Sequence, residues 1–462
     1  MTRAPGRLFR PVLLLAGVAW FTACDHSSEP TAPAVLLTAG TANASASALS
    51  VTAATPAYGR DGDVALAVTI TGSGFKAGAQ ASWKLNGGPA PDIAVKSTSY
   101  VSSTQLVATI DIGSAAQLAY YDVAVTQSDR KGIGTESSTR PDAFEVTQAI
   151  AIAGAGDLRG VNDNGEITGN GGPIYWSLSS GLLLVDAANA GFAISPLGNA
   201  ISANGMPRLY TRAGAVGTAW QLTLLPVDAS ATDGGAHTLV ADPVTGQVVL
   251  MAGQVMVSAA KHTTLTQPRL WVRQAGTGSW QMVALSTGSN TQGTIRQLSR
   301  DSIAVGMLGP RSTGSGYPGS GDQAAAWQPN GTGGWTLVTL ASVLPSAAEG
   351  INGAGTLIVG ASGGAAVYWT LSAGVWSAPV VLPGGCTDAR AVDDSGRIAV
   401  DGCPSNSQYS QGGILVPPYS TSTMVRLGGL GNGGARVESM SPSGNWIVGI
   451  AGGTGGVYWR PF

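Results

Sequence analysis

Charge is scarce in this sequence. Of 462 residues, 24 are Lys or Arg and 26 are Asp or Glu, together 11%, where soluble domains carry about a quarter. That scarcity excludes a long solvated helix, a coiled coil and a basic nucleic-acid binder, all of which need dense Lys, Arg or Glu. Histidine is sparse too, with only His26, His237 and His262. There is no His-x-x-x-His pair, no Cys/His cluster and no glycine loop followed by Lys, so nothing spells a zinc centre or a phosphate cradle. The apolar run near the N-terminus, residues 11–21, is eleven residues long; crossing a bilayer takes about 20. What the chain has in plenty is Gly, 67 residues, and Pro, 25. Without a period such a composition means disorder, so the question is whether it repeats.

Arg3, Arg7 and Arg10 precede that short apolar run, and Phe21-Thr22-Ala23-Cys24 follows it. A positive n-region, a short apolar core and a small-residue end form an export signal. The ending resembles a bacterial lipobox, with Phe21 where Leu is usual, which implies cleavage before Cys24 and lipidation of Cys24. The expectation is a leader over residues 1–23 and a flexible, lipid-anchored tether rich in Ala, Ser, Thr and Pro over 24–50. Losing the leader leaves 21 basic against 26 acidic side chains, a net charge of −5. Such a surface argues against nucleic acid and anionic headgroups.

Residues 51–147 alternate short strand patterns with turn signals about every ten residues, as in an immunoglobulin-like sandwich. Pro56, the GSGF of residues 72–75, Gly78-Ala79, Ser103-Thr104-Gln105-Leu106, Tyr121-Asp122-Val123 and the closing Ala143-Phe144-Glu145-Val146 resemble the bacterial IPT/TIG family. The resemblance spans this whole segment and implies a binding or spacer module. Asp61 and Asp63 stand where paired glycines are commoner; a polar turn is the better reading than a calcium pair.

Residues 148–462 do repeat. The unit is an apolar strand ending in Leu, a strand ending in Ile or Val, a Gly turn, a Val-Gly strand and a strand ending in aromatics. Turns fall at Gly165, Gly198, Gly246, Arg300-Asp301, Gly355, Gly396 and Gly444; aromatic-strand positions are Trp176, Tyr210, Trp271, Trp327, Trp369, a degenerate Leu415 and Trp459. Both series count seven, at a mean spacing of about 46 residues, which is the range of propeller blades. The unit resembles the bacterial extracellular HAF repeat, most nearly at residues 427–434 running on to Trp446-Ile447-Val448-Gly449. The resemblance implies an exported propeller and supplies no catalytic residues. The expected fold is all-β: an Ig-like sandwich over 51–147 followed by a β-propeller over 148–462, with six or eight blades as alternatives to seven.

With Cys24 lipidated, Cys386 and Cys403 remain. Counting back from a turn at residues 393–396, with Val392 opposite Arg397, sets Cys386 directly opposite Cys403, so a disulfide is expected.

Chemistry is hard to find. Gly314-Ser315-Gly316 and Gly319-Ser320-Gly321 lie in a low-complexity loop rather than at a nucleophile elbow. Asn162-Asp163-Asn164 and Asp393-Asp394 lack a bidentate Glu and read as Asx turns. Most of the twelve Trp residues occupy repeat-equivalent core positions, leaving Trp83 and Trp376 less constrained. No catalytic residue, metal ligand or cofactor is assigned. The functional expectation is a lipid-anchored, exported binding protein of the bacterial envelope, without catalysis, for a protein or glycan partner. The rivals are a propeller glycan lyase or hydrolase, which needs paired carboxylates converging in the channel, and a structural spacer.

Overall fold

The computed structural model describes residues 47–462 apart from 130, 172, 214–217, 259–263, 310–319, 406–408, 432 and 453–454. The leader, Cys24, His26, His262 and most of the low-complexity loop therefore lie outside the described residues. Among the described residues the chain is all-β, built as nine sheets.

Two sheets form the sandwich. One runs Ser50–Thr55, Leu66–Ser73, Gln105–Ile112, Ile93–Ser102; the other runs Tyr58–Arg60, Thr135–Thr147, Tyr120–Ser128, Gln80–Leu85, Gly88–Pro89. Their inner faces share one core, in which Trp83 meets Phe144 edge-on at 5.7 Å. Alternation builds it: Gln105–Ile112 buries every second side chain, the period of a strand with one face inward. Tyr121 donates its hydroxyl to the Gln117 carbonyl at 3.0 Å, the tyrosine-corner bond of Ig-like sandwiches. The glycine opening GSGF answers a close approach, since a Cβ on Gly72 would lie 1.9 Å from the Ser50 carbonyl oxygen.

The other seven sheets begin with strands Leu158–Val161, Gly191–Ile194, Ala231–Ala241, Gly293–Leu298, Ser346–Ile351, Asp388–Val392 and Ala435–Met440. We number these blades 1 to 7. Each first strand lies against the first strand of the next blade, and that of blade 1 against that of blade 7. The sheets thus follow one another in a ring, the arrangement of a β-propeller. Blade 7 takes its outermost strand from the other end of the domain: Ile150–Ala151 pairs with Tyr458 and Val457. Inner strands such as Ala304–Leu308 are buried at every residue, which explains their unbroken apolar runs. A chain buried on both faces of most strands has few places for charge.

The recurring Leu and Trp meet between blades. Leu225, Leu285, Leu340 and Leu427 end outer strands and are buried. The carbonyl just after each accepts a hydrogen bond from the indole of the following blade. Trp271 donates to Pro226, Trp327 to Ser286, Trp369 to Ala341 and Trp459 to Gly428, at 2.7–2.9 Å. In blade 2 Tyr210 takes the indole's place and bonds the Asp186 carboxylate. Blade 6, with Leu415, has no indole to offer.

Blade 6 has the disulfide instead. Cys386 and Cys403 are bonded, though the register is not the one expected. Val392 opposes Ile398, not Arg397, so the turn is one residue wider. Arg390 is an extra, bulged residue that absorbs the difference and sets Asp388 opposite Asp401. Two positions further from the turn the cysteines meet. The bridge closes a 17-residue separation, worth ~3 kcal/mol in the chain-entropy model. We expect reduction, or paired Cys386→Ala and Cys403→Ala changes, to lower the melting temperature by several degrees. An unchanged melt under reductant would show that blade 6 does not depend on the bridge.

Sandwich and propeller meet at Glu145. Its buried carboxylate accepts backbone N–H bonds from Gly429 at 2.5 Å and Gly431 at 2.7 Å. Burial pushes its pKa up to about 7, against those same bonds, which favour the anion. The glycines permit the approach: a Cβ on Gly428 would lie 2.7 Å from Thr147 Oγ1. At Gly428 and Gly431 it is the sandwich that leaves no room for a side chain.

Candidate binding site in the propeller channel

All seven first strands carry a β-bulge, and the extra residues are Arg159, Phe192, His237, Arg296, Glu349, Arg390 and Glu438. A bulge opposes two residues to one and re-aims the side chain of the added residue. Here that happens once per blade, and all seven added side chains line one cavity of about 410 Å³ at the middle of the ring. Small neighbours such as Gly160, Gly350 and Ala391 follow the bulges.

The lining has tiers because strand residues two apart share a face. Two positions beyond the bulges stand Val161, Ile194, Leu239, Leu298, Ile351, Val392 and Met440, an apolar collar contributed by every blade. Two further on, at the rim formed by the first turns, come Asp163, Pro196, Ala241, Arg300, Gly353, Asp394 and Pro442. The cavity therefore has an apolar wall above a floor made by the bulged residues.

The floor has two halves. On blades 1 to 3 the Arg159 guanidinium lies over the Phe192 ring at 4.7 Å, and Phe192 packs on His237 at 4.6 Å. His237 Nδ1 sits 3.0 Å from the Ile295 carbonyl; a carbonyl only accepts, so Nδ1 carries the proton. Burial lowers the His237 pKa to about 4, the Ile295 bond opposes this, and the Arg296 and Arg159 charges lower it further. His237 is thus neutral and lies in the field of two arginines.

On blades 4 to 7 the floor is ionic. Arg296 Nε lies 3.2 Å from Glu349 Oε2, whose other neighbour is Arg390 at 3.9 Å. Arg436, two residues before the bulge, pairs with Glu438. Beneath Arg390 lie the opposed carboxyls of Asp388 and Asp401, 3.0 and 3.8 Å from its Nε. Both are buried. Burial raises Asp388 to about 8, against Arg390 and helped by the Glu349 and Asp401 charges. Burial likewise raises Asp401 to about 7, against Arg390.

The acidic turns are already engaged. Asp163 accepts from the Ser443 amide at 2.8 Å, linking blade 1 to blade 7. Asp393 takes the Ser395 and Arg397 amides, and Asp394 pairs with Arg300 at 2.8 Å. In the sandwich Asp63 accepts from Arg60 N and Asp61 from Gln148 Nε2. Among the described residues no group of three or more His, Cys, Asp and Glu converges to hold a metal. Trp83 lies in the sandwich core and Trp376 packs on the blade 4–5 core.

His237 lies in a strand, Ala231–Ala241. The bulge ring itself escaped the sequence reading, although a signal was there. Gly165, Gly198, Gly355, Gly396 and Gly444 have left-handed backbones, as does Ser302 in blade 4. Six residues before each of these stands the bulged residue of its blade; only blade 3, with longer strands, departs from that count. In sequence comparison no family model and no curated protein matches this chain.

Proposed function

We propose that this chain is an exported binding protein of the bacterial envelope, lipid-anchored through Cys24, which holds its ligand at the channel mouth without catalysis. The reading includes an IPT/TIG-like sandwich and HAF-like blades, on the residues that carry those resemblances. One observation carries it: the carboxylates of the channel are already committed. Glu349 lies between two arginines, Glu438 is on Arg436, Asp394 is on Arg300, and Asp163 caps a backbone amide. A retaining or inverting glycosidase needs two carboxyls facing one bond. The two with raised pKa values, Asp388 and Asp401, are buried under Arg390 rather than open to the cavity.

The test is capture from solubilised envelope, and on a glycan array, by the purified chain and by its Phe192→Ala variant. Binding that the variant loses supports the reading. Newly formed unsaturated or reducing sugar ends, abolished by Asp388→Asn, would assign a glycan-cleaving enzyme instead.

A further inference from the structure

The collar and floor of the channel make different demands on a ligand. Val161, Ile194, Leu298, Ile351, Val392 and Met440 offer no hydrogen bond to a hydroxyl, so a sugar hydroxyl placed there would be left without a partner. An apolar body suits the collar. The floor offers guanidinium groups: Arg159 and Arg296 both line the cavity with about a quarter of the side chain exposed. Arg159 contacts Asp157 at 3.6 Å and Arg296 contacts Glu349 at 3.2 Å, each through one nitrogen. A guanidinium has five donors, so both retain capacity toward the cavity. Both line the same cavity as His237, from blades 1 and 4, with Phe192 and His237 on the blades between them. Glu349 and Glu438 face the same floor, Glu349 between Arg296 and Arg390 and Glu438 on Arg436.

We propose that the channel mouth binds an apolar group ending in a carboxylate, with the carboxylate between Arg159 and Arg296 beside Phe192 and His237, and the apolar body inside the collar. This rests on the binding-protein reading and names its ligand chemistry. Two sources present that chemistry: a free N-acyl amino acid or aryl carboxylate, and the C-terminus of a peptide ending in an apolar residue. Arg159, held against Phe192, and Arg296, held toward Glu349, would meet a planar anion from blades 1 and 4.

Isothermal titration of the full chain tests this with N-acetyl-leucine and N-acetyl-leucinamide as probes. The acid is expected to bind at least about tenfold more tightly than the amide, a difference of about 1.4 kcal/mol. Arg296→Gln and Arg159→Gln should each lose that preference, whereas Arg426→Gln, on the outer strand of blade 6, keeps it. Far-UV circular dichroism and melting of each variant separate loss of binding from loss of fold. A hexapeptide ending in Leu, with free or amidated C-terminus, divides the two sources: preference for the free terminus identifies a chain end, and exclusion of both peptides identifies a free small acid. Equal binding of acid and amide, or no binding of either, overturns the proposal. If envelope capture sensitive to Phe192→Ala persists in that case, the binding-protein reading stands and only the ligand class falls; if capture is absent as well, both fall.

Discussion

Arg390→Leu is expected to destabilise the propeller by about 3–5 kcal/mol at pH 8.5 and by much less at pH 5. The cause is the pair beneath it. Asp388 and Asp401 oppose one another in neighbouring strands, 0% and 1% exposed, and Arg390 is the cation over both. Removing one partner of a buried ion cluster leaves charge with neither water nor a counter-ion, and that penalty is larger than the net worth of the pair. The pH dependence follows from the direction of the shifts. A carboxyl whose pKa is raised in the folded state holds a proton there that the unfolded chain has released. Its contribution is fully present below the ordinary carboxylate value near 4 and is lost as pH rises toward the folded value. With Asp388 at about 8 and Asp401 at about 7, the wild-type chain should melt at progressively lower temperature from pH 5 to pH 8.5. The leucine variant should fall more steeply, and Asp388→Asn with Asp401→Asn should flatten the curve. Melting curves across that range decide it; an Arg390→Leu penalty independent of pH would show that packing, not charge, is what Arg390 supplies.

Trp327→Ala should cost about 3–5 kcal/mol, the range for truncating a buried large aromatic. Trp327 is fully buried between blades 3 and 4 with Leu285, Ile295 and Ala304. Its indole also bonds the Ser286 carbonyl of the preceding blade. The two contributions separate in Trp327→Phe, which keeps a ring in the core and abandons the bond, at roughly 1 kcal/mol plus the void left by the smaller ring. Chemical denaturation read by circular dichroism checks both. If alanine and phenylalanine cost the same, the hydrogen bond would outweigh the packing.

The blades were legible because their grammar is local. A left-handed Gly, an unbroken apolar strand and an aromatic further along the same blade, as from Gly355 to Trp369, all leave marks in the spelling. The Leu that ends an outer strand was visible as well, but its meaning lies in the next blade, where at four of the seams an indole reaches back to the carbonyl after it. The disulfide was found through a register that erred by one residue at the turn and was restored by the bulge at Arg390. That same bulge explains why the channel was not seen. A strand read with strict alternation gives Arg390 and Glu349 no special direction; only the added residue turns them to the centre, and only ring closure brings seven such side chains together. Asp388 and Asp401 were hidden for a similar reason, since their opposition depends on the corrected register.

Ile150–Ala151, the two-residue strand that completes blade 7, is also the chain's path out of the sandwich. Tension applied on the N-terminal side therefore runs through the sandwich toward the very strand that holds the ring shut. Five residues earlier along that path Glu145 is fastened to Gly429 and Gly431. The carboxylate thus gives the sandwich a second point of attachment, at residues 429–431, ahead of the strand that closes the ring.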